Sequence, residues 1–366
     1  MKKLIWLYCL LLVPTLAFAL PELCSLSNQK QSLYLVINNI PSREQWNSTN
    51  GYCGEVALIS AGLYYGQYLS QYDARRLANL DLPVKNKQLD QILLGYKGAT
   101  TKTNNVVAAL KQMHLNYEQF DNSKPSLSKN FLLWVKGQVI AHHPVAIGVY
   151  ENTSIFDNNP QPEYDHIVPV FGVKSNHPLL PLKYYSDDVL YFHDNNLYTE
   201  TAIDCYQYLF GLFQKDRNEA NKEEGTIYSL SNNANGLGNF GIAVTGVKAQ
   251  GVNLLPVHLK TNPIDESPQI KNNSDQRPKS SLITLSIRVS DLKSQQYYIL
   301  YKYTDFKQLP KDDNFAKSLG NPVKKCSILL NSGTVFTSQE QIPSSSMAIY
   351  RAIAAKPGGL MPAPCL

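Results

Sequence analysis

Apolar residues recur along this chain in two different periods, and the two are not mixed. The three-to-four-residue period comes first. Val56, Ile59, Leu63 and Tyr64 fall on one face of a helix over Gly54 to Ser70. Tyr72 to Leu80 and Leu89 to Tyr96 read as shorter helices. Thr103 is placed to cap a helix through Val106, Val107, Leu110 and Met113, and Ser126 to cap one over Leu127 to Ile140. Strand-like runs follow at Val145 to Tyr150, His166 to Val173, Val189 to Phe192 and Phe240 to Val247. Helices first and strands later is the order of an α+β fold, not of repeating βαβ units.

Asn262 to Ser281 breaks the pattern. It carries prolines at 263, 268 and 278 and few apolar residues, the composition of a linker. Beyond it, Leu282 to Val289 and Gln296 to Tyr303 alternate as strands do. Ser327 to Leu330, Thr334 to Thr337 and Met347 to Ile353 complete a set that predicts a small β-sandwich. The expected organisation is a leader over 1–19, an α+β domain over 20–261, a linker over 262–281 and a β-sandwich-like domain over 282–366. A chain of 366 residues fits two domains at roughly 100–200 residues each.

Composition narrows the class. A hydrophobic share of 43% with 17% charged residues is too apolar for a disordered chain, and 23 tyrosines favour strands. The formal charge of +5 is scattered, without an arginine-rich or lysine-rich run, so no nucleic-acid partner is expected. Lys2 and Lys3, the apolar run Leu4 to Leu16 and the small-x-small Ala17-Phe18-Ala19 read as a secretory signal peptide cut after Ala19. The product is then secreted or periplasmic. No other stretch approaches the ~20 apolar residues of a transmembrane helix, so no stable membrane insertion is expected.

An oxidising compartment makes cysteine parity informative. With Cys9 gone, Cys24, Cys53, Cys205, Cys326 and Cys365 remain, an odd number, which suggests one free thiol. Cys24 with Cys205 and Cys326 with Cys365 would keep each disulfide within one expected domain. Cys53 is then the odd one out. It follows the turn residues Asn50 and Gly51 and opens an apolar-periodic helix. A thiol at a helix N-terminus meets the positive end of the macrodipole, which favours the reactive thiolate. Gly54 lets neighbouring backbone approach closely.

Such a thiol needs a base and an orienting partner. His166 begins an apolar strand, where a ring is held rigidly. The next strand ends in His193-Asp194-Asn195, so Asp194 or Asn195 could fix the imidazole tautomer. An oxyanion donor is supplied by Gln45, eight residues before Cys53, or by Asn47. His193 points opposite to Asp194 on its strand and is left out. Glu55 reads as a first-turn charge that complements the dipole. His142-His143 precedes Pro144 without metal-ligand company, so no metal and no cofactor are expected.

Cys-Gly opening a helix, followed by His and Asp with an upstream amide, resembles the papain-like cysteine peptidases. More closely it is similar to the branch that processes double-glycine leaders of bacteriocins. That branch pairs a glutamine and Cys-Gly-x-Ala with a His-x-Val-Val-x-Gly strand and a strand ending in Asp-Pro. Cys53-Gly54, Ala57, the His166 strand ending in Gly172, and Asp194 carry the likeness, over about Pro41 to Asp194. The gap after Gln45 is longer than usual, and Asn195 stands where proline is common. The resemblance implies a papain-like fold and hydrolysis of amide bonds in a peptide or protein substrate. The same constellation would serve a protein-glutamine deamidase or acyltransferase. A dead papain-like scaffold acting as a binding or adhesion protein is the non-enzymatic alternative.

Overall fold

The computed structural model describes residues 34–46, 51–80, 91–100, 102–121, 128–151, 164–199, 202–213, 228–230, 239–261, 280–356 and 358–365. The segment 1–19, Cys24, Asn47, Ser126 and the 262–279 part of the expected linker lie outside them. The proposed Cys24–Cys205 pairing therefore does too.

An eight-stranded antiparallel sheet is the framework. Its order is β3 (Leu115–Gln119), β9 (Gly241–Val247), β4 (Val145–Glu151), β5 (Tyr164–Ser175), β6 (Val189–Thr199) and β7 (Ala202–Leu209). β1 (Tyr34–Ile37) adds to β5, and β8 (Tyr228–Ser229) adds to β4. Helices are few. α1 (Cys53–Tyr64), α2 (Gln71–Ala78) and α3 (Val106–Gln112) precede the central strands; α4 (Ser128–Ile140) comes next, and α5 (Phe210–Phe213) is a single turn. The described residues are thus mixed α and β, compatible with the α+β order read from the pattern.

Phe131, Leu132 and Val135 of α4 pack on Val145, Ile147, Val149, Val168 and Val170, which cover one face of the sheet. α1 lies on the other side, and every residue from Cys53 to Leu63 is buried. A helix apolar all round belongs in a core with neighbours on both sides. Here the second neighbour is the C-terminal part. One cluster joins Leu58, Ile59 and Leu63 to Leu259, Leu285, Tyr350 and Ala352.

That part consists of two antiparallel sheets. One is β10 (Val257–Lys260), β11 (Leu282–Val289) and β14 (Phe336–Pro343); the other is β13 (Lys324–Leu329), β12 (Tyr297–Tyr303), β15 (Ala348–Ala354) and β2 (Gln67–Tyr68). β2 and β10 come from before the 262–281 stretch, so strands on both sides of it share sheets. Cys326 and Cys365 form a disulfide, with Cα atoms 4.9 Å apart, and tie the C-terminal tail to β13. No helix among the described residues is long and apolar enough to cross a membrane.

Three local readings need correction. The helix expected over Gly54 to Ser70 stops at Tyr64. Gly66 turns the chain at φ +71°, Tyr68 pairs with Ala348 and Gln67 with Ile349, and Ser70 accepts a hydrogen bond from the Asp73 amide to cap α2. The helix expected over Leu89 to Tyr96 is irregular at 91–96. The Ile92, Leu93 and Gly95 amides bond to Glu55 Oε1, Asn105 Oδ1 and Asn104 Oδ1 instead of to helical carbonyls. The helix expected to follow a Thr103 cap starts only at Val106, with Asn105 at the cap position.

Candidate active site

Gly51 takes φ +42°, a left-handed conformation that glycine adopts without a Cβ penalty. The chain reverses there, and α1 begins at Cys53 with Tyr52 as an N-cap that makes no side-chain capping bond. The thiol therefore sits at a helix N-terminus, among the first-turn amides. Gly54 is required by packing: a Cβ there would stand 2.6 Å from Ile92 O and 3.0 Å from Ile92 Cβ. Cys53 is 8% exposed, against 2% for His166 and 0% for Asp194, so the sulfur residue is the member of the group nearest to solvent. It is the free cysteine among the described residues.

Neighbouring strands bring the remaining groups together. Val149 on β4 faces His166 on β5, and Val170 on β5 faces Phe192 on β6. Glu151 and Asp194 lie two residues on from Val149 and Phe192, so strand alternation puts both on the His166 face. His166 Nε2 donates to Asp194 Oδ1 at 3.1 Å, and Tyr228 Oη donates to Asp194 Oδ2 at 2.5 Å. A carboxylate only accepts, so the contact places a proton on Nε2. Burial acts to lower the His166 pKa. The Asp194 charge and hydrogen bond, with Cys53 adding in the same direction, override it and hold the ring well above its ordinary value. Cys53 thus acts on His166 in the same direction as Asp194, and after it.

The two orienting candidates separate. The Tyr52 amide donates to Gln45 Oε1 at 2.8 Å, which fixes the Gln45 side chain beside the residue preceding Cys53. Asn47 lies outside the described residues. Asn195 does not orient the histidine; its Nδ2 donates to Ile167 O at 3.0 Å and to Cys53 O at 3.3 Å, and its backbone carbonyl accepts from the Gln45 backbone N–H at 2.9 Å. Asn195 therefore staples the start of α1 to the sheet.

Three residues at the site escaped the sequence reading. Glu151, His166 and Asp194 offer side-chain atoms that all lie within 4.8 Å of one another; they are the set among the described residues able to hold a metal ion. The signal for Glu151 was available: it ends the alternating run Val145-Ala146-Ile147-Gly148-Val149-Tyr150-Glu151 on the inward side. Tyr228 had no such signal, since β8 is only two residues long. The third is Arg75. Glu55, read as a first-turn charge that complements the dipole, is fully buried and paired with Arg75 at 2.6 Å.

The other histidines stand apart. His193 stacks on Phe171 with ring centroids 4.2 Å apart, and burial lowers its pKa to about 4. His142 and His143 bind Asn38 and Gln138 at 2.7 Å each. No protein-family model matches the chain, and no curated protein matches it.

Proposed function

We propose that this chain is a thiol hydrolase of papain-like type that cleaves amide bonds in a peptide or protein substrate. One observation carries the reading: His166 donates Nε2–H to Asp194 at 3.1 Å, and Cys53 is among the groups that raise its pKa. With Nε2 committed, Nδ1 is the nitrogen that takes the thiol proton. The thiolate attacks the substrate carbonyl carbon, and the electron pair moves to the carbonyl oxygen. That oxyanion meets the Cys53 amide and the amide NH2 of Gln45. Imidazolium, stabilised by Asp194, then protonates the leaving nitrogen as the C–N bond breaks. Water attacks the resulting thioester with His166 as base and regenerates the thiol. Tyr228 holds the second Asp194 oxygen and keeps that carboxylate in line with the ring.

A helix bearing the nucleophile at its N-terminus, laid on an antiparallel sheet whose adjacent strands carry histidine and aspartate, supports the papain-like reading. The cysteine-paired C-terminal part agrees with an exported protein. The test is digestion of a peptide library with product masses recorded. The wild-type chain is expected to shorten peptides, and Cys53→Ala to abolish that. Mass gains of about one dalton without loss of length would instead indicate deamidation. Undiminished cleavage by Cys53→Ala would remove the proposal altogether.

A further inference from the structure

α2 presents two consecutive arginines, and they face different ways. Arg76 is exposed; Arg75 is 1% exposed and reaches under the turn that precedes Cys53. Its Nε donates to Glu55 Oε1 at 2.6 Å, its Nη2 donates to Gly51 O, and its guanidinium carbon lies 3.6 Å over the Tyr52 ring. Glu55 Oε1 also accepts from the Ile92 amide at 3.1 Å, which anchors the whole group to the loop against Gly54. One planar cation thus grips the first turn of α1 and both residues immediately before it.

We propose that Arg75 is the positioning residue of the nucleophile, clamping Gly51 and Tyr52 so that Cys53 and the Gln45 amide keep their places while a positive charge stands near the sulfur. The proposal rests on Cys53 being the nucleophile. Tyr52 is the link to the amide, because its N–H holds Gln45 Oε1. Cys53 is itself among the groups that stabilise protonated Arg75, after Glu55 and Tyr52. The charged groups of the site are then Glu55 on α1, Arg75 on α2, and His166 on β5 backed by Asp194 on β6 and Glu151 on β4. A bare structural ion pair with Glu55 would need only a cation. Gripping a carbonyl, a carboxylate and an aromatic face at once needs the flat, multidentate guanidinium, which lysine cannot copy.

Two measurements decide it: the rate of Cys53 alkylation by iodoacetamide, and kcat and KM on a cleaved peptide. Arg75→Met is expected to slow alkylation about tenfold or more. Arg75→Lys returns the charge without the clamp. It is expected to recover alkylation to within about threefold while kcat stays about tenfold down and KM is unchanged. Arg76→Met serves as the surface control and matches wild type in both. Arg75→Met that alkylates at the wild-type rate, or Arg75→Lys with wild-type kcat, overturns the proposal; the lysine variant decides alone if the methionine variant does not fold. If the wild-type chain cleaves no peptide, the hydrolase reading falls while the alkylation arm still judges Arg75.

Discussion

His166 and His193 occupy neighbouring strands, and burial lowers the proton affinity of each, yet they end on opposite sides of the ordinary value. At His166 the Asp194 carboxylate and Cys53 override burial; at His193 only a backbone contact with Ile40 opposes it. The stability consequences fall in separate pH windows. A native pKa above the unfolded value means the stabilisation from His166 is complete below 6.5 and is lost as pH climbs through the raised value. Thermal melts taken upward from about pH 6 are expected to show that decline, and Asp194→Asn to remove it. His193 has its native pKa below the unfolded one, so stability drops as pH falls from 6.5 to about 4. The loss is on the order of 3 kcal/mol, and His193→Gln should flatten that acid limb of the curve. At this scale the places of Cys53, His166 and Asp194 on their elements were legible because each stands at the edge of a strong apolar pattern. Arg75 was not, since in a short polar helix nothing local tells an inward arginine from an outward one.

At the scale of elements, the start of α1 was legible and its end was not. Asn50, Gly51 and the apolar period announce the start. The end is imposed by Gly66 and by pairing with Ala348 and Ile349, nearly three hundred residues away, which no window around residue 66 contains. The 91–96 loop failed in the same way: its apolar spacing suits a helix, but Glu55, Asn104 and Asn105 take its amides. That loop is also what Gly54 leans on. Gly54→Ala must push Ile92 O or the first turn of α1 aside, costing about 1–3 kcal/mol in urea unfolding. Because the displaced turn carries Cys53, kcat is expected to fall further than stability alone explains. A Gly54→Ala protein with normal kcat would show that the turn tolerates the shift.

Over the whole molecule, the two-part order of helices with strands, then strands alone, could be read from the period of the apolar residues. The way the parts interlock could not, because β2 is two residues long and β10 four, too short for a period to show. Their partners lie beyond the polar stretch at 262–281, and one apolar cluster crosses it. A chain ending at residue 261 would bare Leu58, Tyr68 and Leu259 to water. It is expected to bind hydrophobic dyes and to lack a cooperative melt. The Cys326–Cys365 bridge spans a sequence separation of 39, and Cys365→Ser should cost about 2–4 kcal/mol under oxidising conditions and nothing once the wild type is reduced.

β15 is translated long after α1, yet it holds the short segment that closes off the helix carrying the thiol. Pairings between such distant stretches form late in folding. Synthesis therefore separates the two: a nascent polypeptide carries Cys53 long before the strand that closes off its helix has been made.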